Sequence, residues 1–152
     1  MNKQNQYNIL LLNIINLLKN EEDFIANLSN ISALINEYLS NINWVGFYIV
    51  KNNQLVLGPF QGKVACSKIE IGSGVCGVCV NDKKTQLVNN VHEFDGHISC
   101  DDASNSEIVI PVLKDKNVVA LLDIDSPILN RFDKIDKDYL EKIVLEIQKK
   151  YY

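Results

Sequence analysis

The sequence predicts an α+β domain with a central antiparallel sheet, helices from both chain ends packed on one face, and irregular loops over the other. Three observations lead there. Apolar residues recur at the helical period near both termini. Between them, β-branched and aromatic runs carry the strand period. A glycine-punctuated stretch, Gly58 to Ser106, separates two groups of strands and fits neither period.

At 152 residues the chain is most simply one domain, residues 1–152. A domain of this size buries about two-thirds of its unfolded surface, so it needs neither disulfide nor metal to fold. The segment MNKQNQYNILLLNIINLLKN places Leu10, Leu11, Ile14, Ile15, Leu17 and Leu18 at helical spacing over residues 4–19. Asn13 and Asn16 interrupt its apolar run, and no small-residue cleavage site follows, so it reads as an amphipathic helix rather than a signal peptide. It is too short and polar to span a bilayer. Phe24, Ile25, Leu28, Ile31, Leu34, Ile35, Tyr38 and Leu39 define a second helix, and the N-terminal helices occupy about 4–40.

The period then changes. Trp44 to Val50 reads as a strand, Asn52-Asn53 as a turn, and Gln54 to Leu57 as the start of the return strand. Gln86 to Val88 is a further short strand. Glu107–Leu113 and Val118–Asp125 form a hairpin about the turn KDKN, and Ser126-Pro127 ends the sheet, which with its site loops covers about 43–126. Tyr139, Leu140, Ile143, Val144 and Ile147 share one face of a C-terminal helix over about 136–151.

Charge narrows the function classes. The net charge is -4 and Arg131 is the only arginine, which argues against nucleic-acid binding. The four cysteines, Cys66, Cys76, Cys79 and Cys100, all lie mid-chain. With no sign of secretion, the expected compartment is the cytoplasm, where thiols stay reduced and act as nucleophiles, redox partners or ligands.

Cys100 lies in the polar segment GHISCDDAS. A helix beginning near Asp101 or Asp102, or a protonated His97, would favour its thiolate. The plainer reading is a buried small hydrophobe. Cys76 and Cys79 form CGVC, but no βαβ context surrounds it, and both read as core-facing helix residues. Zinc is disfavoured, because the four cysteines are separated by nine, two and twenty residues and form only one close pair. His92 and His97 read as surface residues.

In LLDIDS, Asp123 and Asp125 share one strand face. Glu107 stands at the mouth of the neighbouring strand. A three-residue hairpin loop places it opposite Asp123, and a two-residue loop opposite Ile124. Three clustered, buried carboxyls would repel, so at least one would stay protonated near neutral pH and serve as a general acid. The plain alternative is a solvated edge. Trp44 and Tyr48 share a strand face, as core or as an aromatic wall for a small apolar group.

The words NWVGFY, GPFQGKVACSKI, GVCG, TQLVNNVHEFDGHISCD, SEIVIPV and LDIDS, in this order, resemble the free methionine-(R)-sulfoxide reductase family, a compact GAF-domain enzyme. The resemblance covers about Asn43 to Arg131. It implies a GAF-like domain that reduces free L-methionine (R)-S-oxide to methionine. It further implies Cys100 as nucleophile, Cys66 as resolving thiol and Cys76 as an auxiliary thiol. Cys79 has no counterpart in the family pattern. The acidic positions become Glu107, Asp123 and Asp125, and the aromatic pocket becomes Trp44 and Tyr48. Glu107 or Asp125 would donate a proton, and Asp123 or a neighbouring acid would pair with the substrate ammonium. No metal or organic cofactor is implied, thioredoxin is the external reductant, and a homodimer is expected. The competing reading is a non-catalytic GAF sensor domain for a small molecule.

Overall fold

Two tight turns and two faces of one sheet organise the molecule. The computed structural model describes residues 1–98 and 100–152. Helices α1 (Lys3–Asn20) and α2 (Phe24–Tyr38) precede strands β1 (Trp44–Lys51), β2 (Gln54–Gly62) and β3 (Lys68–Glu70). Helix α3 (Gly74–Asp82) and strand β4 (Gln86–Val88) follow, then β5 (Ser106–Lys114), β6 (Asn117–Ser126) and helix α4 (Lys134–Tyr151). The six strands form one sheet in the order β3-β2-β1-β6-β5-β4, with every neighbouring pair antiparallel.

Both hairpins turn through two residues in left-handed backbone, Asn52-Asn53 and Asp115-Lys116. That conformation matches the twist of the flanking strands. One sheet face carries Val45, Phe47, Ile108, Ile110, Leu122 and Ile124 into a core with α1, α2 and α4. The other carries Trp44, Tyr48, Val109 and Leu121 into a second core with α3. Strand alternation alone produces this division.

Helix α4 starts two residues before the expected boundary. Asp133 caps it, accepting from the backbone N–H of Ile135 and Asp136, while Asp136 accepts from the N–H of Asp133. This reciprocal cap satisfies donors the apolar period cannot reveal. Asp136 is fully buried and also receives Lys3, Arg131 and the Tyr7 hydroxyl, tying α1 and the post-β6 loop to α4. Among the described residues, no helix is long and apolar enough to cross a membrane.

Candidate active site

The register of β5 against β6 differs from both sequence expectations. The loop holds two residues, since Lys114 pairs with Asn117, yet Glu107 pairs with Asp125. A register shift between Val112 and Leu113 accounts for this, leaving Val119 unmatched between Val118 and Ala120. Such a bulge adds one residue to one strand and moves every later pairing by one. Its consequence is chemical: Glu107, Asp123 and Asp125 now share the face of Trp44 and Tyr48. On β1, Trp44 pairs with Asp125 and Gly46 with Asp123.

All three acids line one pocket, and Glu107 and Asp123 are 95% buried. Burial is the main reason each carboxyl is held above its ordinary range, and for Glu107 and Asp125 the charge of Asp123 adds to it. Helix α3 presents Cys76 to the same floor, its Sγ 3.4 Å from Asp123 Oδ2 and 3.9 Å from Glu107 Oε1. Burial, then the charges of Asp123 and Glu107, push the Cys76 thiol up. Gly77 lets the start of α3 pack against the turn that precedes it: a Cβ there would lie 2.5 Å from the Glu70 carbonyl oxygen.

The pocket wall is aromatic. Trp44 stacks near Tyr48, with centroids 6.0 Å apart, and against Phe60 at 5.2 Å. The Trp44 Nε1–H donates to the Lys63 carbonyl, and the Tyr48 hydroxyl to that of Cys66. Gly46 makes room, because a Cβ there would sit 2.3 Å from Phe60 Cβ.

Cys66 and Cys100 are joined by a disulfide between residues 34 positions apart, with Cα atoms 5.6 Å apart. Cys100 lines the pocket with His97 and Ile98. No helix follows Cys100; residues 101–103 form a bend and turn, with Asp101 accepting from the Ala103 backbone N–H. That hydrogen bond holds the Asp101 carboxyl below its usual range. The expected helix fails because Asp101 caps this turn and the chain then enters β5. Asn43 anchors the turn, donating to Asp101 at 2.9 Å and Ser104 at 3.1 Å.

His97 is not a surface residue. It lines the pocket, its side chain 14% exposed and its Nε2 3.9 Å from Glu107 Oε2. Burial, then His92, lower its pKa, so the imidazolium is not favoured beside Cys100. His92 is exposed, as expected. Cys79 is wholly buried against the Val109 carbonyl, and burial pushes its thiol up to about 12. Ser99 lies outside the described residues.

Thus the structure gathers Trp44, Tyr48, Cys76, Cys100, Glu107, Asp123 and Asp125 around one pocket, with Cys66 attached through the disulfide. Sequence reasoning missed Asn43, Phe60 and the inward aim of His97. Phe60 lies beyond the part of β2 read as strand, past a register shift against β1. Asn43 carried a signal, since it opens the NWVGFY word, but nothing local reveals its distant partners.

No protein-family model matches the chain. It is 46% identical to free methionine-R-sulfoxide reductase of Escherichia coli over 98% of this chain and 90% of that protein. It is similar to the structure of fRMsr of Staphylococcus aureus in complex with substrate, with a TM-score of 0.91, 51% identity, and coverage of 96% and 95% of the two chains. A putative GAF sensor protein from Burkholderia vietnamiensis superposes with a TM-score of 0.95 at 41% identity, covering 98% of this chain and 95% of that one.

Proposed function

The chain belongs to the free methionine-(R)-sulfoxide reductase family, on the GAF fold, and from that premise we infer that it reduces free L-methionine (R)-S-oxide to L-methionine. The observation that carries the reading is the convergence of the Cys66–Cys100 pair, a cluster of buried acids and an aromatic wall on one pocket.

The substrate is a small zwitterion with a polar S=O and an apolar S-methyl group. Its ammonium pairs with Asp123, which is buried and needs a cation to be ionised there without penalty. Its carboxylate faces the N-terminus of α3, whose first N–H groups and dipole favour an anion. Trp44 and Tyr48 contact the methyl and side-chain carbons.

A sulfoxide oxygen leaves poorly until protonated. Glu107 or Asp125, both shifted by burial toward the protonated form, supplies that proton. The Cys100 thiolate attacks the sulfur, the S–O bond breaks, and the oxygen passes to Cys100 as a sulfenic acid while methionine leaves. Cys66 thiolate then attacks the sulfenic sulfur. A disulfide forms, the hydroxyl departs as water, and the two thiols together have given two electrons to the substrate. A dithiol such as thioredoxin reduces this disulfide by exchange, so no organic cofactor or metal enters. Cys76 is the reserve thiol: its raised pKa leaves little thiolate until Cys100 or the substrate alters its surroundings. The enzyme works as a homodimer in the cytoplasm, whose reducing poise matches this cycle.

The direct test incubates the protein with each free methionine sulfoxide epimer, thioredoxin, thioredoxin reductase and NADPH. NADPH is consumed with the R epimer. No consumption with that epimer overturns the reading.

A further inference from the structure

We propose that the pocket floor is also a binding site for a thiophilic divalent cation of the Zn²⁺ class, held by Cys76, Glu107 and Asp123, and that such a cation competes with substrate. The competition rests on the substrate reading above; the metal site does not.

The geometry carries the inference. One ligand atom from each of the three residues lies within 4.8 Å of the others, and all three residues are buried. The Cys76 Sγ stands 3.4 Å from Asp123 Oδ2 and 3.9 Å from Glu107 Oε1. In a tetrahedral zinc site, with Zn–S about 2.3 Å and Zn–O about 2.1 Å, a sulfur and an oxygen ligand are about 3.6 Å apart. The two sulfur–oxygen separations therefore already lie close to those of such a tetrahedron. His97 lies outside this group of three, its Nε2 3.9 Å from the other Glu107 oxygen, Oε2. Thiolate and carboxylate are both zinc donors, and three protein ligands leave a fourth position for water.

A second observation points to a ligand. Asp123 is 95% buried, yet its Oδ1 has no hydrogen-bond partner among the described residues. Glu107 can bond to it only by keeping a proton. A cluster of acids without a cation is costly in a buried site. The substrate ammonium would relieve that cost for the acids, but it offers the Cys76 thiol nothing. A thiophilic cation satisfies both, displacing the thiol proton as the Zn–S bond forms. No electrons move in this step.

The oxidised protein gives a clean test, since the Cys66–Cys100 disulfide removes both redox thiols and leaves Cys76 and Cys79 free. Zn²⁺ binding is titrated against a chromophoric chelator, and Co²⁺ is used as the spectroscopic probe. One equivalent of Zn²⁺ is expected, and Co²⁺ should give a thiolate-to-metal charge-transfer band. Both should disappear in Cys76→Ser. Asp123→Asn should weaken binding by about 100-fold or more, at or beyond the range produced by loss of a supporting group. Cys79→Ser should bind like the parent. With the reduced enzyme, Zn²⁺ should raise KM for the sulfoxide and leave kcat unchanged.

Absence of stoichiometric binding, or a charge-transfer band that survives Cys76→Ser, overturns the site. Should Cys76→Ser fail to fold, Asp123→Asn with parental affinity overturns it equally. Inhibition that lowers kcat without raising KM overturns the competition. A protein that binds Zn²⁺ at Cys76 but consumes no sulfoxide keeps the metal site and refutes the reductase reading instead.

Discussion

Glu107→Gln tests whether the pocket keeps a neutral carboxylic acid. The glutamine has the shape of the protonated acid but cannot ionise. In the unfolded chain Glu107 titrates near its ordinary value of about 4.3. In the folded protein burial, reinforced by Asp123 and Asp125, holds it well above that. Between those two values the folded state binds more protons than the unfolded state. The free energy of unfolding therefore falls as pH rises through this window, by up to about 1.4 kcal/mol per pH unit for one group. Across two pH units of this window, pH 5 to 7, the parent loses up to about 2.7 kcal/mol from this source, on that same slope. The glutamine variant does not. For a chain of this length each kcal/mol moves the midpoint by roughly 2 to 4 °C. The variant's Tm advantage over the parent should grow by about 5 to 10 °C across that interval. Relief of repulsion on Asp123 and Asp125 makes this an upper bound. Circular dichroism melts of the oxidised parent and variant at matched pH measure it. A Tm difference that stays flat from pH 5 to pH 7 refutes the neutral acid. The same variant, if Glu107 is the donor, should lose about 10² to 10⁴ in kcat with little change in KM. Full kcat would move the role to Asp125.

Other perturbations separate the remaining roles. Cys100→Ser should abolish turnover in the coupled assay, whereas Cys66→Ser should form about one methionine per site quickly and then stall, as seen by rapid quench; full steady-state turnover in Cys100→Ser would show that another thiol attacks. Gly46→Ala places a methyl 2.3 Å from Phe60 Cβ and 2.8 Å from the Trp44 ring. It should cost about 1 to 3 kcal/mol in chemical denaturation and raise KM, because the aromatic wall must shift. Asp136→Ala removes the acceptor for Lys3, Arg131 and Tyr7 far from the pocket. It should cost about 3 kcal/mol, lowering Tm by roughly 6 to 12 °C, with kcat unchanged. A matching loss of kcat in the surviving folded fraction would mean that the network also shapes the site.

Local patterns made some features legible and not others. The helical period of α1 and α2 and the turn at Asn52-Asn53 could be read directly, because each depends on neighbours within a few residues. The shared face of Asp123 and Asp125 followed from strand alternation alone. Whether Glu107 joined them did not, because one unmatched residue at Val119 resets the register and hairpin loop length cannot report it. The four-residue interval from Trp44 to Tyr48 likewise disclosed a common face, but Phe60 enters that wall across a second register shift. Resemblance supplied the pairing of Cys66 with Cys100, which spacing had left open. It said nothing of Asn43, whose bonds to Asp101 and Ser104 depend on the folded course of the loop.

The two faces of the sheet divide stability from chemistry. On the helical face, β1, β5 and β6 present Val45, Phe47, Ile108, Ile110, Leu122 and Ile124 to α1, α2 and α4. On the other, β5 and β6 present Glu107, Asp123 and Asp125 beside Cys76, and β1 adds Trp44 and Tyr48. Alternation permits this because residues that are neighbours in sequence point to opposite sides. Ile108 and Ile124 are fully buried in the first core while Glu107 and Asp125, next to them in the chain, line the pocket. Each strand thus anchors its acids through the apolar residues that flank them, and a backbone held on one side aims carboxyls on the other. Groups that repel one another and shed their charge when buried would loosen a one-sided sheet. Here the cost falls on a face whose backbone the opposite core already fixes. A ligand that brings positive charge to the acids repays that cost at the moment of binding, so the unfavourable electrostatics of the empty pocket become selectivity for a cationic ligand.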